Sequence, residues 1–331
     1  MADMSDPSFI LPPTSTGYLP YRGYKTWYAI WGTLPPPSAY PLPPSQPRPL
    51  LVVPGGPGAG HNYLLPLSDL SKTHNIPVIT YDSIGCGNST ILRNKDVGVG
   101  FWTLDLYVEE LQALLDHLGV KEWDVLGNSF GGMLVAEHAL SHPAGLKHMV
   151  VACSLATTTD WGVASQLWRD KLPDNGGAIM RKHELEGTTG SEESKHWTEE
   201  FNARHECRVV PMPEYVRRTF EILDENPDAG EVMIGPSNVD ITGTLSTYTL
   251  IPRLPLISTP TLVYWGKYDV GQEICTKPFA ELIPGAVAFK FLQGSHMPHV
   301  EQRGVHMRLV GDWLVGKGLA GSEEGVLERL K

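Results

Sequence analysis

Apolar positions along this chain follow two periods. The short, almost wholly apolar runs "LLVV" (50–53), "VITYD" (78–82) and "WDVLG" (123–127) have the character of strands buried on both faces. "HMVVAC" (148–153), "TLVYWG" (261–266) and "VAFKFL" (287–292) extend the set, and "GYKTWYAIWG" (23–32) alternates aromatic and polar residues as a strand does. Elsewhere the period lengthens. In "TLDLYVEELQALLDHLG", Leu104, Val108, Leu111, Leu115 and Leu118 recur at helical spacing, and Gly119 ends the run. Strands alternating with helical patterns predict an α/β fold, a mainly parallel sheet with helices on both faces.

The alternation stops between residues 155 and 250. That stretch is rich in Trp, Glu, Arg and His, and segments such as "DWGVASQLWRDKL" and "EYVRRTFEILDEN" are spaced as helices without apolar strands. The organisation expected is a core of residues 1–154 and 251–331, with 155–250 a helical cap over the strand ends, where open α/β sheets place their sites. "LPPPSAYPLPPSQPRP" (34–49) is too proline-rich for helix or sheet and reads as a surface loop. The tail "GSEEGVLERLK" reads as a short amphipathic helix or frayed end.

Composition narrows the function classes. A net charge of −11 with no basic block argues against nucleic acid or an anionic membrane as partner. No run approaches the roughly 18 apolar residues of a membrane span, and the acidic, proline-bearing start does not resemble a secretory signal. Cys86, Cys153, Cys207 and Cys275 are scattered without C-x-x-C spacing, which predicts buried apolar residues in a reducing, cytoplasmic setting, with neither a disulfide framework nor a metal site. No cofactor motif is present, and nothing in the chain sets an oligomeric state.

Candidate chemistry starts at "DVLGNSFGGMLVAEHAL" (124–140). Gly127, Ser129 and Gly131 form G-x-S-x-G after an apolar strand and before a helical run. This is the pattern of a nucleophile elbow, a tight strand-to-helix turn that exposes a serine hydroxyl. Such a serine needs a base, and the base an orienting acid, which in sheets of this type follow in the order acid, then histidine. "YWGKYDVG" puts Asp269 in the turn after one apolar strand, and "FLQGSHMPHVEQ" puts His296 after the next, with His299 as the rival base. An oxyanion hole requires two backbone N–H groups. Phe130, after the serine, supplies one, and the glycines of "VVPGGPGAGHNY" can turn the backbone inward to supply the other.

Together these segments resemble the proline iminopeptidase (prolyl aminopeptidase) family of α/β-hydrolases. "GYLPYRGYKTWYAIWG" is similar to its opening strand segment, "PGGPG" to its oxyanion loop, "YDSIGCGNS" to its Y-D-Q-x-G-x-G-x-S turn and "GPSNVDITGTL" to the end of its cap, over residues 17 to 315. The resemblance implies Ser129 as nucleophile, Asp269 and His296 as its partners, and Gly56 and Phe130 as oxyanion donors. Three positions depart from the pattern: Pro54 replaces a histidine, Ser83 a glutamine and Asn238 a glutamate. Asn238, Asp240 and Trp161 are the substrate-contact candidates, with Trp168 and Trp197 as further pocket walls.

The function expected is cleavage of an amide or ester through an acyl-enzyme, with a small peptide or small-molecule amide or ester as substrate. The resemblance implies release of an N-terminal residue. An amidase, esterase or lactonase acting on a small metabolite, or a binding protein that has kept only the fold, are the alternatives. Asn238 carries no charge to meet a substrate ammonium. Asp240, Glu199, Glu200, Glu206 and Glu214 are the carboxylates able to replace it, and without one, aminopeptidase activity should be weak. Activity should rise with pH through the titration of a histidine of ordinary pKa.

Overall fold

The computed structural model describes residues 9–319 and 321–331. Nine strands form one sheet in the order β1-β2-β4-β3-β5-β6-β7-β8-β9. The hairpin β1 (Ser15–Tyr21) and β2 (Tyr24–Trp31) joins β4 (Val78–Tyr81) antiparallel. β3 (Leu50–Val53), β4, β5 (Trp123–Asn128), β6 (Leu146–Ala152), β7 (Thr261–Gly266) and β8 (Val287–Phe291) are parallel. All residues of β3, β4, β5 and β7 are buried, as expected of central strands covered on both faces. The proline-rich segment is irregular apart from one 3₁₀ turn at Pro37–Ala39.

The tail departs from the expected helix. Leu327–Arg329 forms β9, antiparallel to β8, with Leu327 paired to Phe291 and buried. The open edge of β8 offers backbone partners, and one buried leucine outweighs a weak helical spacing. Helix α1 (Leu104–His117) forms where the helical spacing predicts it, and its buried face is wider than that spacing marks. Leu111 and Leu115 are buried as predicted, but the stripe continues through Leu106, Tyr107, Glu110 and Leu114, while Leu104, Val108 and Leu118 are half-buried. A carboxylate inside that stripe disguised it.

Helix α2 (Phe130–Leu140) follows β5. Between β6 and β7 lie α3 (Thr158–Arg169), α4 (Gly176–Glu186), α5 (Glu192–His205) and α6 (Glu214–Glu225). Their two ends are clasped together, with Leu250 N–H donating to Ala156 C=O at 2.7 Å and Thr157 bridging Thr249. Leu172, Met180, Trp197 and Phe201 pack with Val270 in a small apolar cluster separate from the main core. α7 (Gln272–Leu282) and α8 (Arg303–Leu314) complete the chain's longer helices.

Parallel registry aligns the strand ends. Val53 pairs with Gly127, Asn128 with Ala152, Ala152 with Tyr264, and Gly266 with Phe291. The loops that carry Gly55, Ser129, Cys153, Asp269 and His296 therefore leave the sheet side by side.

Candidate active site

Ser129 occupies the turn between β5 and α2 at φ 57°, ψ −125°, a region that costs a non-glycine residue about 1–3 kcal/mol. Its N–H donates to Ala152 C=O at 3.0 Å, and its side chain is partly open to solvent. The turn tolerates only glycine on either side. A Cβ at Gly127 would sit 2.1 Å from the Gly131 carbonyl oxygen, and one at Gly131 2.2 Å from that of Val53. Phe130 is the first residue of α2, where helix geometry leaves its N–H without an intrahelical acceptor.

The loop after β3 approaches the same point. Gly56 takes φ +108°, and a Cβ there would strike the Gly58 and Ala59 nitrogens at 2.4 and 2.6 Å. The Gly55 N–H donates to Tyr63 Oη at 2.9 Å, and Tyr63 Oη donates to Asn128 Oδ1 at 2.9 Å. Among the described residues, the Gly56 N–H has no acceptor. Pro54 and Ser83 leave the loop's support to other groups. Its far end is held by His61, whose N–H and Nδ1 both reach Asp82 Oδ1, at 2.7 and 2.8 Å. Asp82 Oδ2 accepts from the Asn88 N–H and Nδ2, and the Asp82 carboxyl is held below its usual range: burial opposes the charge, but His61 and the N–H donors outweigh it.

Asp269 and His296, the acid and base candidates, are joined at 2.7 Å between Oδ1 and Nδ1. The Gly271 N–H also donates to Asp269 Oδ1, at 3.0 Å. The Cys153 thiol, the Asp269 carboxylate and the His296 imidazole lie within 4.8 Å of one another and are buried. Sequence spacing could not show this cluster, whose members are far apart in the chain. It coincides with the acid–base pair, since His296 Nδ1 and Asp269 Oδ1 are already bonded to each other. His299, the rival base, is turned away: its Nε2 donates to Tyr63 C=O at 3.0 Å, and burial pushes it down to about 3, so it stays neutral.

The segment that ends α5 is wedged between the loops that carry Asp269 and His296. His205 C=O accepts from both Val270 N–H (3.2 Å) and His296 N–H (3.1 Å), while His205 Nδ1 donates to Tyr268 C=O at 3.0 Å. Trp168 stacks on His205 with centroids 4.2 Å apart and donates from Nε1 to Asp269 C=O at 2.8 Å. Glu206 follows, half-buried, and its charge acts on His296. Burial pushes Glu206 up, partly offset by the His296 cation. For His296, burial disfavours the imidazolium, but Glu206, Asp269 and Glu301 together outweigh it and lift the pKa to about 9.

The substrate-contact candidates separate. Trp161 lies edge-on to His296, with centroids 5.8 Å apart. Trp168 serves the acid loop, and Trp197 is buried against Gly176. Asp240 is exposed and ion-paired with Arg181, so its charge is already matched. Asn238 is exposed, and among the described residues it has no hydrogen bond to Ser129, Asp269 or His296. Glu199 and Glu214 are exposed, and Glu200 pairs with Arg204. Of the carboxylates weighed from sequence, only Glu206 acts on the charge of His296. Sequence reasoning passed over Tyr63 and Asn128, although both lie inside the quoted motifs. A tyrosine hydroxyl and an amide in otherwise buried segments are the signal, because such groups must find partners.

The chain is similar to known proteins. Residues 48–301 match the model of the alpha/beta hydrolase fold family. The proline iminopeptidase of Heyndrickxia coagulans is 30% identical over 80% of this chain and 90% of its own, and that of Saccharolobus solfataricus is 31% identical over 81% and 84%. Among solved structures, VinJ superposes with a TM-score of 0.84 at 34% identity, covering 93% of this chain and all of its own. The proline iminopeptidase of Mycobacterium smegmatis superposes at 0.81 with 33% identity, covering 92% and 98%. Through the family model and these relatives, this chain belongs to the α/β-hydrolase fold and, within it, to the proline iminopeptidase family.

Proposed function

We propose that this hydrolase releases an N-terminal residue, proline among them, from short peptides or small amides, with Ser129 as nucleophile. The observation that carries the reading is the 2.7 Å Asp269–His296 pair on strand ends adjoining the Ser129 elbow. His296 takes the Ser129 proton as Oγ attacks the substrate carbonyl, and Asp269 fixes the imidazole with Nδ1 protonated. The Gly56 and Phe130 N–H groups receive the developing oxyanion. His296 then returns the proton to the leaving amine, and water, deprotonated by the same imidazole, releases the acyl group.

Glu206, whose charge acts on the base, supplies the counter-charge that Asn238 lacks, and this favours aminopeptidase activity where Asn238 alone argues for weak activity. A charged hydrogen bond is worth roughly 1.5–3 kcal/mol, so a free amine should be preferred by roughly tenfold to a hundredfold. Residues 155–250 act as a cap that sets substrate range, with Trp161 as a wall of the pocket. Four free, buried cysteines suit a reducing cytoplasmic setting. Among the described residues, no helix is long and apolar enough to cross a membrane.

The test compares free and N-acetylated forms of one prolyl arylamide, alongside fluorophosphonate labelling. Labelling at Ser129 with a preference for the free amine supports the reading. Equal or better turnover of the blocked substrate would mark a neutral acyl hydrolase instead.

A further inference from the structure

We infer that Tyr63 is a positioning residue that sets the oxyanion hole, by taking one glycine N–H out of use and tying the oxyanion loop to the nucleophile elbow. The inference deepens the reading of Ser129, Gly56 and Phe130 given above and rests on it.

Two adjacent glycines turn at the end of β3, and either could aim an N–H at the substrate. Tyr63 Oη accepts the Gly55 N–H at 2.9 Å, which leaves the Gly56 N–H as the one without an acceptor among the described residues. The same hydroxyl donates its only proton to Asn128 Oδ1, on the residue just before Ser129. Asn128 Nδ2 extends toward Ala152 C=O and His296 C=O, at 3.4 Å each. One phenol thus joins the oxyanion loop to the elbow, and its amide partner reaches toward the base loop.

The ring is held as firmly as the hydroxyl. Tyr63 is 3% exposed, its N–H donates to Thr219 Oγ1 on α6 at 3.0 Å, and its C=O accepts from His299. A tyrosine needed only to fill space would not require both hydroxyl bonds to fall on the two loops that flank the serine. Spacing also requires the contact. A Cβ at Gly55 would lie 2.9 Å from Ser129 Cβ and 3.1 Å from Tyr63 Oη, so Gly55 packs closely against both and only glycine fits between them.

Tyr63→Phe in the full-length chain removes the hydroxyl and keeps the ring. Small misplacements at a reacting centre cost roughly 10- to 100-fold, so kcat per titrated active site should fall by that much, with KM changed within about threefold. Affinity for an aminoacyl boronic acid, whose tetrahedral adduct puts an oxygen in the hole, should fall by the same factor as kcat. A purely structural role would lower the melting temperature or the titre of active sites and leave both readouts unchanged. A kcat per site within about threefold of wild type, or a fall in kcat without a fall in boronate affinity, overturns the inference. Asn128→Leu should give the same signature, and the double variant should lose no more than the worse single, because both remove one linkage. Additive losses overturn it. If Tyr63→Phe does not fold, Asn128→Leu alone carries the test on the same two readouts. A wild-type chain that takes no fluorophosphonate at Ser129 fails differently, and overturns the nucleophile reading together with this one.

Discussion

Ser129 holds an unfavourable backbone angle because Gly127 and Gly131 let strand, turn and helix close around it. Such strain is retained where the surroundings enforce it. Ser129→Ala should leave a folded protein with hydrolysis reduced by several orders of magnitude, and His296→Ala should be nearly as damaging. His299→Ala should cost far less than either, since that ring reaches the site only through Tyr63 C=O; single-turnover rates per folded molecule check all three. The base adds a second expectation. The proposed base must be neutral, and with His296 lifted to about 9, kcat/KM should climb with pH until about 9 instead of levelling near the usual 6.5. Burial alone would have lowered that value, and the field of Glu206 is foremost in raising it. Glu206→Gln should therefore move the acid limb to lower pH and erase the preference for a free amine. A substrate ammonium bound at Glu206 should act in the same direction, so the limb in kcat should lie below that in kcat/KM. Identical limbs would disconnect Glu206 from the base. Asp269 and His296 could be selected from sequence because each sits in the turn after an apolar strand. Glu206 could not be singled out from its four rivals, since only the fold puts one helix end beside the catalytic loops.

Elements were legible where period and burial agree. β3, β5 and β7 are near-continuous apolar runs and fall within a residue of their predicted ends. β9 was missed because its pairing comes from the free edge of β8, remote in the chain. The buried face of α1 is wider than its apolar spacing because Glu110 lies inside it. Glu110 Oε1 accepts from Thr26 Oγ1 and the Ile84 N–H, while Oε2 has no partner among the described residues. Burial lifts this carboxyl from 4.5 to about 8, ahead of the opposing donors. The folded state therefore holds a proton that the unfolded chain releases, so this contribution to stability is full below about 4.5 and is lost as pH rises toward about 8. Glu110→Gln should flatten the melting temperature across that window. An unchanged slope in thermal melts would show that Glu110 titrates normally.

At the scale of the whole molecule, distant segments are tied by buried charge. Arg303 on α8 makes paired bonds to Asp69 at 2.7 and 2.8 Å and donates to Phe9 C=O at 2.7 Å. Removing one partner of such a pair leaves an uncompensated buried charge, so Asp69→Ala should cost about 3–5 kcal/mol in urea unfolding while kcat per folded molecule stays near wild type. Similar behaviour on the surface should not be expected of exposed pairs such as Arg204–Glu200.

The wedge at His205 gives the molecule a characteristic way to fail. One carbonyl oxygen holds the amides of Val270 and His296 together. Any fluctuation that withdraws that helix end releases the acid and base loops in the same event. Warming should thus extinguish turnover while the nine-stranded sheet is still intact, leaving an inactive but folded enzyme that recovers on cooling. Its signature would be two amides, far apart in the chain, that exchange their hydrogens in step.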